Sequence, residues 1–152
     1  MKKFIVLIFS FIFLFASCNS TKTPENKTTE YTINYSNNNT DFSAAVTSYK
    51  DGSVNIKFLK PNSLKGLSYS YTLKNETLKY KGLCINLEDY DTYILKKFAT
   101  ALSNLSIKGA ALTKEGNGYI YKTNNYTLCF NKDKTLYKFL ADNFNIEITK
   151  NK

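Results

Sequence analysis

From Asp41 to Thr149 apolar and polar residues alternate singly along short runs, and that two-residue period admits little other than antiparallel sheet. Val54, Ile56 and Phe58 alternate with Asn55 and Lys57; Leu67, Tyr69, Tyr71 and Leu73 alternate with Ser68, Ser70 and Thr72; Phe144, Ile146 and Ile148 alternate with Asn145 and Glu147. Successive side chains on a strand point to opposite faces, so each run buries one face and wets the other. Turn signals divide the runs at Asp51-Gly52, Pro61-Asn62-Ser63, Asn75-Glu76, Gly116-Asn117-Gly118, Asn124-Asn125, Lys132-Asp133-Lys134 and Asp142-Asn143. Such short connections join antiparallel neighbours, because a parallel crossover needs about a dozen residues or more. Near Gly82 the apolar parity slips from Leu78 and Tyr80 to Leu83, Ile85 and Leu87, which predicts a bulge. The 12 tyrosines and 11 phenylalanines fit this pattern, since aromatic rings suit a pleated, half-buried surface.

One stretch departs from the alternation. Between Thr92 and Leu105 the apolar positions Ile94, Phe98, Leu102 and Leu105 recur at helical spacing, with Lys96, Lys97, Thr100 and Ser103 on other faces. Asp91 or Thr92 can cap the first turn, and Glu88, Asp89 and Asp91 sit where a helix N-terminus stabilises negative charge. The expected layout is about four strands, one helix and about four more strands. It describes a mainly β (α+β) domain: a curved antiparallel half-barrel of about eight or more strands, with the helix packed on its concave face.

The amino-terminal end is different in kind. After Met1-Lys2-Lys3, the residues from Phe4 to Ala16 include only Ser10 as a polar one, and Cys18 follows at once in Phe15-Ala16-Ser17-Cys18. A membrane span needs roughly 20 residues, so this stretch is expected to be a signal peptide over residues 1–17. It resembles a bacterial lipoprotein signal, with Cys18 as the lipidated residue of the mature protein, although the leucine usual three places before the cysteine stands at Leu14. An ordinary secretory signal and an uncut anchor are the alternatives. Asn19 to Glu30 carries Pro24 and no large apolar residue, a composition that cannot bury a core. Residues 18–40 are therefore expected to form a flexible tether, with Tyr31 to Ser36 an edge strand or more tether before Asn37-Asn38-Asn39. The domain proper is expected over residues 41–150, one core and no more.

Charge and cysteine narrow the function classes. The chain has 21 lysines and no arginine, against 12 acids; without Lys2 and Lys3 the 19 remaining lysines leave a formal +7. Arginine is the preferred reader of phosphate and guanine, so its absence argues against nucleic-acid binding. The charge suits anionic lipid or wall polymers, or simply a solvated surface, which the scatter of the lysines favours. Beyond Cys18 the cysteines are Cys84 and Cys129, the one pair open to a disulfide in an exported protein. Their parity puts both on the outer face, and two free thiols are the other reading. No metal site or cofactor is expected, because histidine is absent and two cysteines far apart lack zinc-ligand spacing.

The same absence of histidine removes Ser-His-Asp and Cys-His chemistry. No Ser-x-x-Lys marks a nucleophile with its base, and Ser63 and Lys65 read as part of a turn. Paired carboxylates among Glu76, Glu88, Asp89 and Asp91 have little room for a sugar cleft in so small a chain. No catalytic residue is assigned, and the protein is expected not to be an enzyme.

The string Phe58-Leu59-Lys60-Pro61-Asn62-Ser63-Leu64-Lys65-Gly66-Leu67-Ser68-Tyr69, the following Tyr80-Lys81-Gly82-Leu83 and the strand, helix, strand order resemble small Gram-positive lipoproteins with a LolA-like half-barrel. That resemblance implies a protein that holds acyl chains between a curved sheet and a helical lid, as the LolA and LolB carriers do, or an adaptor for partner proteins. The chain has one clear helix where the carriers have several, and no arginine to match the one associated with their lid closure, so no functional residue is carried over. Strand parity alone then assigns an apolar ligand site to Phe58, Leu67, Tyr69, Tyr71, Leu78 and Tyr80, facing Phe98 and Leu102. The leading expectation is a monomeric, non-catalytic lipoprotein anchored through lipid on the extracytoplasmic side of the cell membrane, binding a lipid or an envelope protein. The runner-up is a pure protein adaptor with a filled core.

Overall fold

The computed structural model describes residues 27–37, 40–87, 93–109, 111–142 and 144–151. Cys18, the preceding hydrophobic stretch, and Glu88, Asp89, Asp91 and Thr92 lie outside the described residues. Six strands come first: β1 (Lys27–Asn37), β2 (Thr40–Tyr49), β3 (Val54–Lys60), β4 (Ser68–Tyr71), β5 (Glu76–Tyr80) and β6 (Leu83–Asn86). The helix α1 (Tyr93–Lys108) follows. Five more strands complete the domain: β7 (Thr113–Glu115), β8 (Gly118–Lys122), β9 (Thr127–Phe130), β10 (Leu136–Ala141) and β11 (Phe144–Lys150). They form one open, curved 11-stranded antiparallel sheet in the order β6-β5-β4-β3-β2-β1-β11-β10-β9-β8-β7.

The expected fold class is the one observed, with two corrections. The first concerns β1. Far from being an edge or a tether, it is the central strand, pairing with β2 through Tyr31↔Val46 and Ile33↔Ala44 and with β11 through Ile33↔Ile148 and Tyr35↔Ile146. Tyr31, Ile33 and Tyr35 are buried. Their alternation with Thr32, Asn34 and Ser36 was present in the sequence, but the polar residues on both sides masked it. Asn37 pairs with Thr40, so the sheet includes strand residues ahead of Asp41, the expected start of the domain. The second correction concerns Gly82. The parity slip there is a two-residue hairpin and not a bulge: Lys81 and Gly82 both have positive φ (47° and 87°), the backbone that a tight antiparallel reversal demands. Tyr80 then faces Leu83, and Leu78 faces Ile85. The strand expected through Leu73 also stops at Tyr71, leaving Leu73 exposed in the β4–β5 turn.

The helix packs on β2, β3, β4 and β10. Phe98 and Leu102 are fully buried, as the helical spacing predicts, and the Phe98 ring meets Phe139 edge-on at 5.2 Å. Ser103, expected on an outward face, is buried instead. The cause is Gly52 in the β2–β3 turn, whose φ is +81°. A Cβ there would collide with the Ile107 side chain and lie 2.8 Å from Ser103 Oγ, and with φ in the left-handed region the turn closes over the helix only with glycine. At the rim of the β1–β2 hairpin, an aromatic seam runs Phe58–Phe42–Tyr35–Phe144, with centroids 5.4, 5.2 and 5.7 Å apart. It joins β3, β2, β1 and β11 across the centre of the sheet.

Candidate functional site

A 16-residue helix is about 24 Å long, whereas 11 strands at roughly 4.8 Å spacing extend some 48 Å from edge to edge. The helix therefore cannot roof the whole sheet. The part it leaves uncovered includes the β5–β6 end, where Leu67, Leu78, Tyr80, Leu83 and Ile85, with Ser63 and Leu64 of the β3–β4 loop, line an open apolar pocket of about 300 Å³.

Each wall has a local cause. Leu78 and Tyr80 of β5 stand opposite Ile85 and Leu83 of β6, four apolar side chains on one face of a single hairpin. The β3–β4 loop leaves β3 through a cis Lys60–Pro61 bond and turns with Leu64 N–H donating to the Pro61 carbonyl at 3.0 Å. The Leu67 N–H then donates to the Leu64 carbonyl at 2.9 Å, which brings Leu64 and Leu67 beside Leu78. Leu83 is 69% exposed and Ile85 48%, unusual for large apolar residues on the face that carries the core.

The eight residues that strand parity assigns to an apolar site divide in two. Leu67, Leu78 and Tyr80 line the pocket. Phe58, Tyr69, Tyr71, Phe98 and Leu102 belong to the buried core cluster between helix and sheet. Leu64, Leu83 and Ile85 were missed as lining residues. Leu64 stands in the loop after Pro61, where no alternation marks it, and the slip at Gly82, read as a bulge, hid the hairpin that brings Leu83 and Ile85 back to the face of Leu78 and Tyr80.

Among the described residues the buried core holds one charged group. Glu76 opens β5 and is buried; its carboxylate accepts a hydrogen bond from Tyr69 Oη at 2.8 Å and pairs with Lys96 Nζ at 2.6 Å. Both oxygens are engaged, so Glu76, a candidate for paired-acid chemistry by sequence, ties α1 to the sheet. The next residue, Lys97, reaches the other way and pairs with Asp142 in the β10–β11 connection at 2.7 Å. Adjacent lysines thus pin the helix to both halves of the sheet.

Cys84 and Cys129 are free thiols on the outer face: Cys84 stands opposite Lys79, and Cys129 opposite Lys138. Eight strand steps lie between them, roughly 38 Å measured along the curved sheet, and both are free thiols. Cys84 is exposed; Cys129 is buried, and desolvation pushes its thiol pKa up although Lys138 pulls it down. Among the described residues no group of three or more His, Cys, Asp or Glu side chains is placed to hold a metal ion, and no helix is long and apolar enough to cross a membrane.

No protein-family model matches the chain, and no curated protein matches it at a significant level. Among solved structures, it is similar to an uncharacterized conserved protein from Thermus thermophilus, at 14% identity and a TM-score of 0.46 over 80% of this chain and 77% of that one. It is also similar to a LolA superfamily protein from Nitrosomonas europaea, at 9% identity and a TM-score of 0.39 over 84% of this chain and 86% of that one. These are distant likenesses and assign no ligand or residue role to this chain.

Proposed function

We propose that this chain is a non-catalytic binding protein, held at the extracytoplasmic side of the cell membrane through lipid on Cys18, whose pocket at the β5–β6 end receives an apolar chain such as the acyl tail of a lipid. The observation that carries the reading is the apolar pocket itself, built from Leu64, Leu67, Leu78, Tyr80, Leu83 and Ile85 and open to solvent. Fully burying a leucine or isoleucine side chain contributes about 1.5 to 3 kcal/mol, so a guest that covers Leu83 and Ile85 gains a sizeable part of that at each. A volume of about 300 Å³ lies at the small end of the range for ligand sites and suits one chain rather than a bulky lipid. Tyr80 supplies an apolar ring with a hydroxyl at its tip, which suits a pocket mouth. The membrane anchor rests on the sequence from Lys2 to Cys18. Two or three acyl chains, at about 0.8 kcal/mol per buried methylene, hold a protein durably at a bilayer.

The adaptor reading has one observation of its own. β6 is an edge strand of four residues with no charge in Leu83-Cys84-Ile85-Asn86, and an extended segment of a partner protein can add to such an edge. Titrating the protein with a fluorescent fatty acid separates the two. Saturable binding that is lost in Leu83→Lys and Ile85→Lys supports the acyl-chain site; no saturable binding, and no lipid in solvent extracts of the purified protein, rejects it in favour of the adaptor. Mass spectrometry of the mature amino terminus tests the anchor: an acylated Cys18 is expected, and an unmodified cysteine, or a mature chain that begins elsewhere, overturns it.

A further inference from the structure

On the outer face, away from the helix, the centre of the sheet carries a second and larger concavity of about 710 Å³. Its floor is two adjacent cross-strand rows. Asn34 of β1 stands opposite both Ser43 of β2 and Glu147 of β11, and Ser36 stands opposite Asp41 with Asn145 alongside on β11. Lys60 and Asn62 add polar groups from the β3 end and its loop, and Pro61 adds an exposed apolar ring; Tyr35 and Phe42 also border the groove, but their rings lie in the aromatic seam on the core side. Directly opposed residues in an antiparallel pair hold their Cβ atoms about 4.5 to 5.5 Å apart, so these amides and carboxylates converge on a common space.

Two features give the groove a chemical class. The first is hydrogen-bonding capacity: none of the side chains of Asn34, Asn62, Asn145, Asp41 and Glu147 is engaged in a hydrogen bond or ion pair with another described residue. Three amides offer donors and acceptors together, and two carboxylates offer acceptors, a set that matches vicinal hydroxyls, each of which both donates and accepts. The second is charge. In a chain with 21 lysines against 12 acids, the groove lining holds two carboxylates and one lysine, and Lys138 stands opposite Glu147 just outside it, so the groove lacks the excess of positive charge that would draw an anion. From this combination we infer that the groove is a binding site for a short neutral or amino-bearing oligosaccharide, whose hydroxyls would meet the amides and carboxylates and whose C–H face would meet Pro61. The site is distinct from the pocket at β5–β6 and stands or falls independently of it.

The test is calorimetric titration of the full chain in a sugar-free detergent with three tetrasaccharide probes: a glucosamine oligomer, its N-acetylated neutral counterpart and a hexuronate oligomer. Saturable binding of either of the first two, at least tenfold tighter than the hexuronate, is expected. Asn34→Ala and Asn145→Ala are expected to weaken it tenfold or more, and Glu147→Gln to reduce the discrimination against hexuronate. All three positions are exposed, so melting temperature and fatty-acid binding are expected to stay as in the parent, which separates loss of this site from loss of the fold or of the other pocket. The inference is overturned if neither uncharged nor amino-bearing probe binds saturably, if hexuronate binds as well as they do, or if the asparagine variants bind like the parent. A pull-down on insoluble polysaccharide run beside the titration distinguishes a polymer from a free oligosaccharide as the source of the same sugar chemistry.

Discussion

The two edges of the sheet are built on opposite principles. At one end β7 is three residues, Thr113-Lys114-Glu115, all exposed and two of them charged, the usual way an edge is made unattractive to further strands. At the other end β6 carries no charge, and its inward face shows Leu83 and Ile85 to solvent beside the apolar pocket. The flanking halves otherwise use the same local devices. Thr72 and Thr123 each close a turn by accepting from two backbone N–H groups and donating to the carbonyl three residues on, at 3.1 Å in both. The difference at the edges is thus not a difference in how well the halves are made. One margin is guarded and the other is left open, which is where a binding function has room to be.

The largest expected effect contrasts the covered core with the open pocket. Phe98→Ala is expected to cost about 3 to 5 kcal/mol, because the ring is fully enclosed and packs on Phe139. Leu78→Ala is expected to cost about 1 to 2 kcal/mol, since its side chain is only half-buried to begin with. Urea unfolding of both variants measures the gap. Equal losses would mean that the β5–β6 end is packed like the rest of the core.

A smaller effect separates the two lysines of α1. Lys96→Met removes the ammonium that pairs with the buried Glu76 carboxylate, at an expected cost of about 1 to 3 kcal/mol. That is below the loss for a wholly buried pair, because the ammonium is more than half exposed. Lys97→Met removes a pair whose acid is half in water, and about 1 kcal/mol or less is expected. A reversal of that order would show that the helix is held mainly by the β10–β11 side.

At the margins themselves, stability and binding are expected to part company. Leu83→Lys gives β6 the kind of charge that guards β7, and at so exposed a position it is expected to change stability by no more than about 0.5 kcal/mol while abolishing fatty-acid binding. A loss of several kcal/mol, with binding intact, would show that Leu83 is part of the core and that the β6 edge is closed.

What the sequence allowed to be read follows the same division. Alternation with short turns carries the antiparallel sheet, and the spacing of Phe98 and Leu102 carries the buried helix face, because both are repeated several times over and no neighbour contradicts them. β1 escaped because its three buried side chains, Tyr31, Ile33 and Tyr35, sit between polar runs, and burial from both sides by β2 and β11 is a long-range fact that no local window contains. The pocket was legible in part. Strand parity names Leu67, Leu78 and Tyr80, but it cannot tell a face roofed by the helix from one beyond its reach, so Phe58, Tyr69 and Tyr71 were grouped with them. The outer groove left no signal at all, since Asn34, Ser43 and Glu147 are ordinary solvent-side residues until the register of three strands puts them in a row.

The smallest expected effect lies in the β9–β10 turn on the guarded side. Asp133 is fully exposed, and its carboxylate accepts a hydrogen bond from the Thr135 N–H at 3.0 Å; that backbone contact is the first cause of a pKa held below the usual 3.8. A carboxyl whose folded-state pKa is depressed releases its proton more readily in the folded chain, so it adds stability above the unfolded value and loses that contribution as pH falls through the folded one. Asp133→Asn is therefore expected to lower the melting temperature slightly at pH 7 and to match the parent once the pH is well below 3.8. Thermal unfolding of both proteins from pH 7 down to pH 2 checks it. A difference that persists unchanged at acid pH would trace to the turn geometry rather than to the charge, and would mean that this turn is set by shape, as the Lys81-Gly82 reversal beside the open edge is.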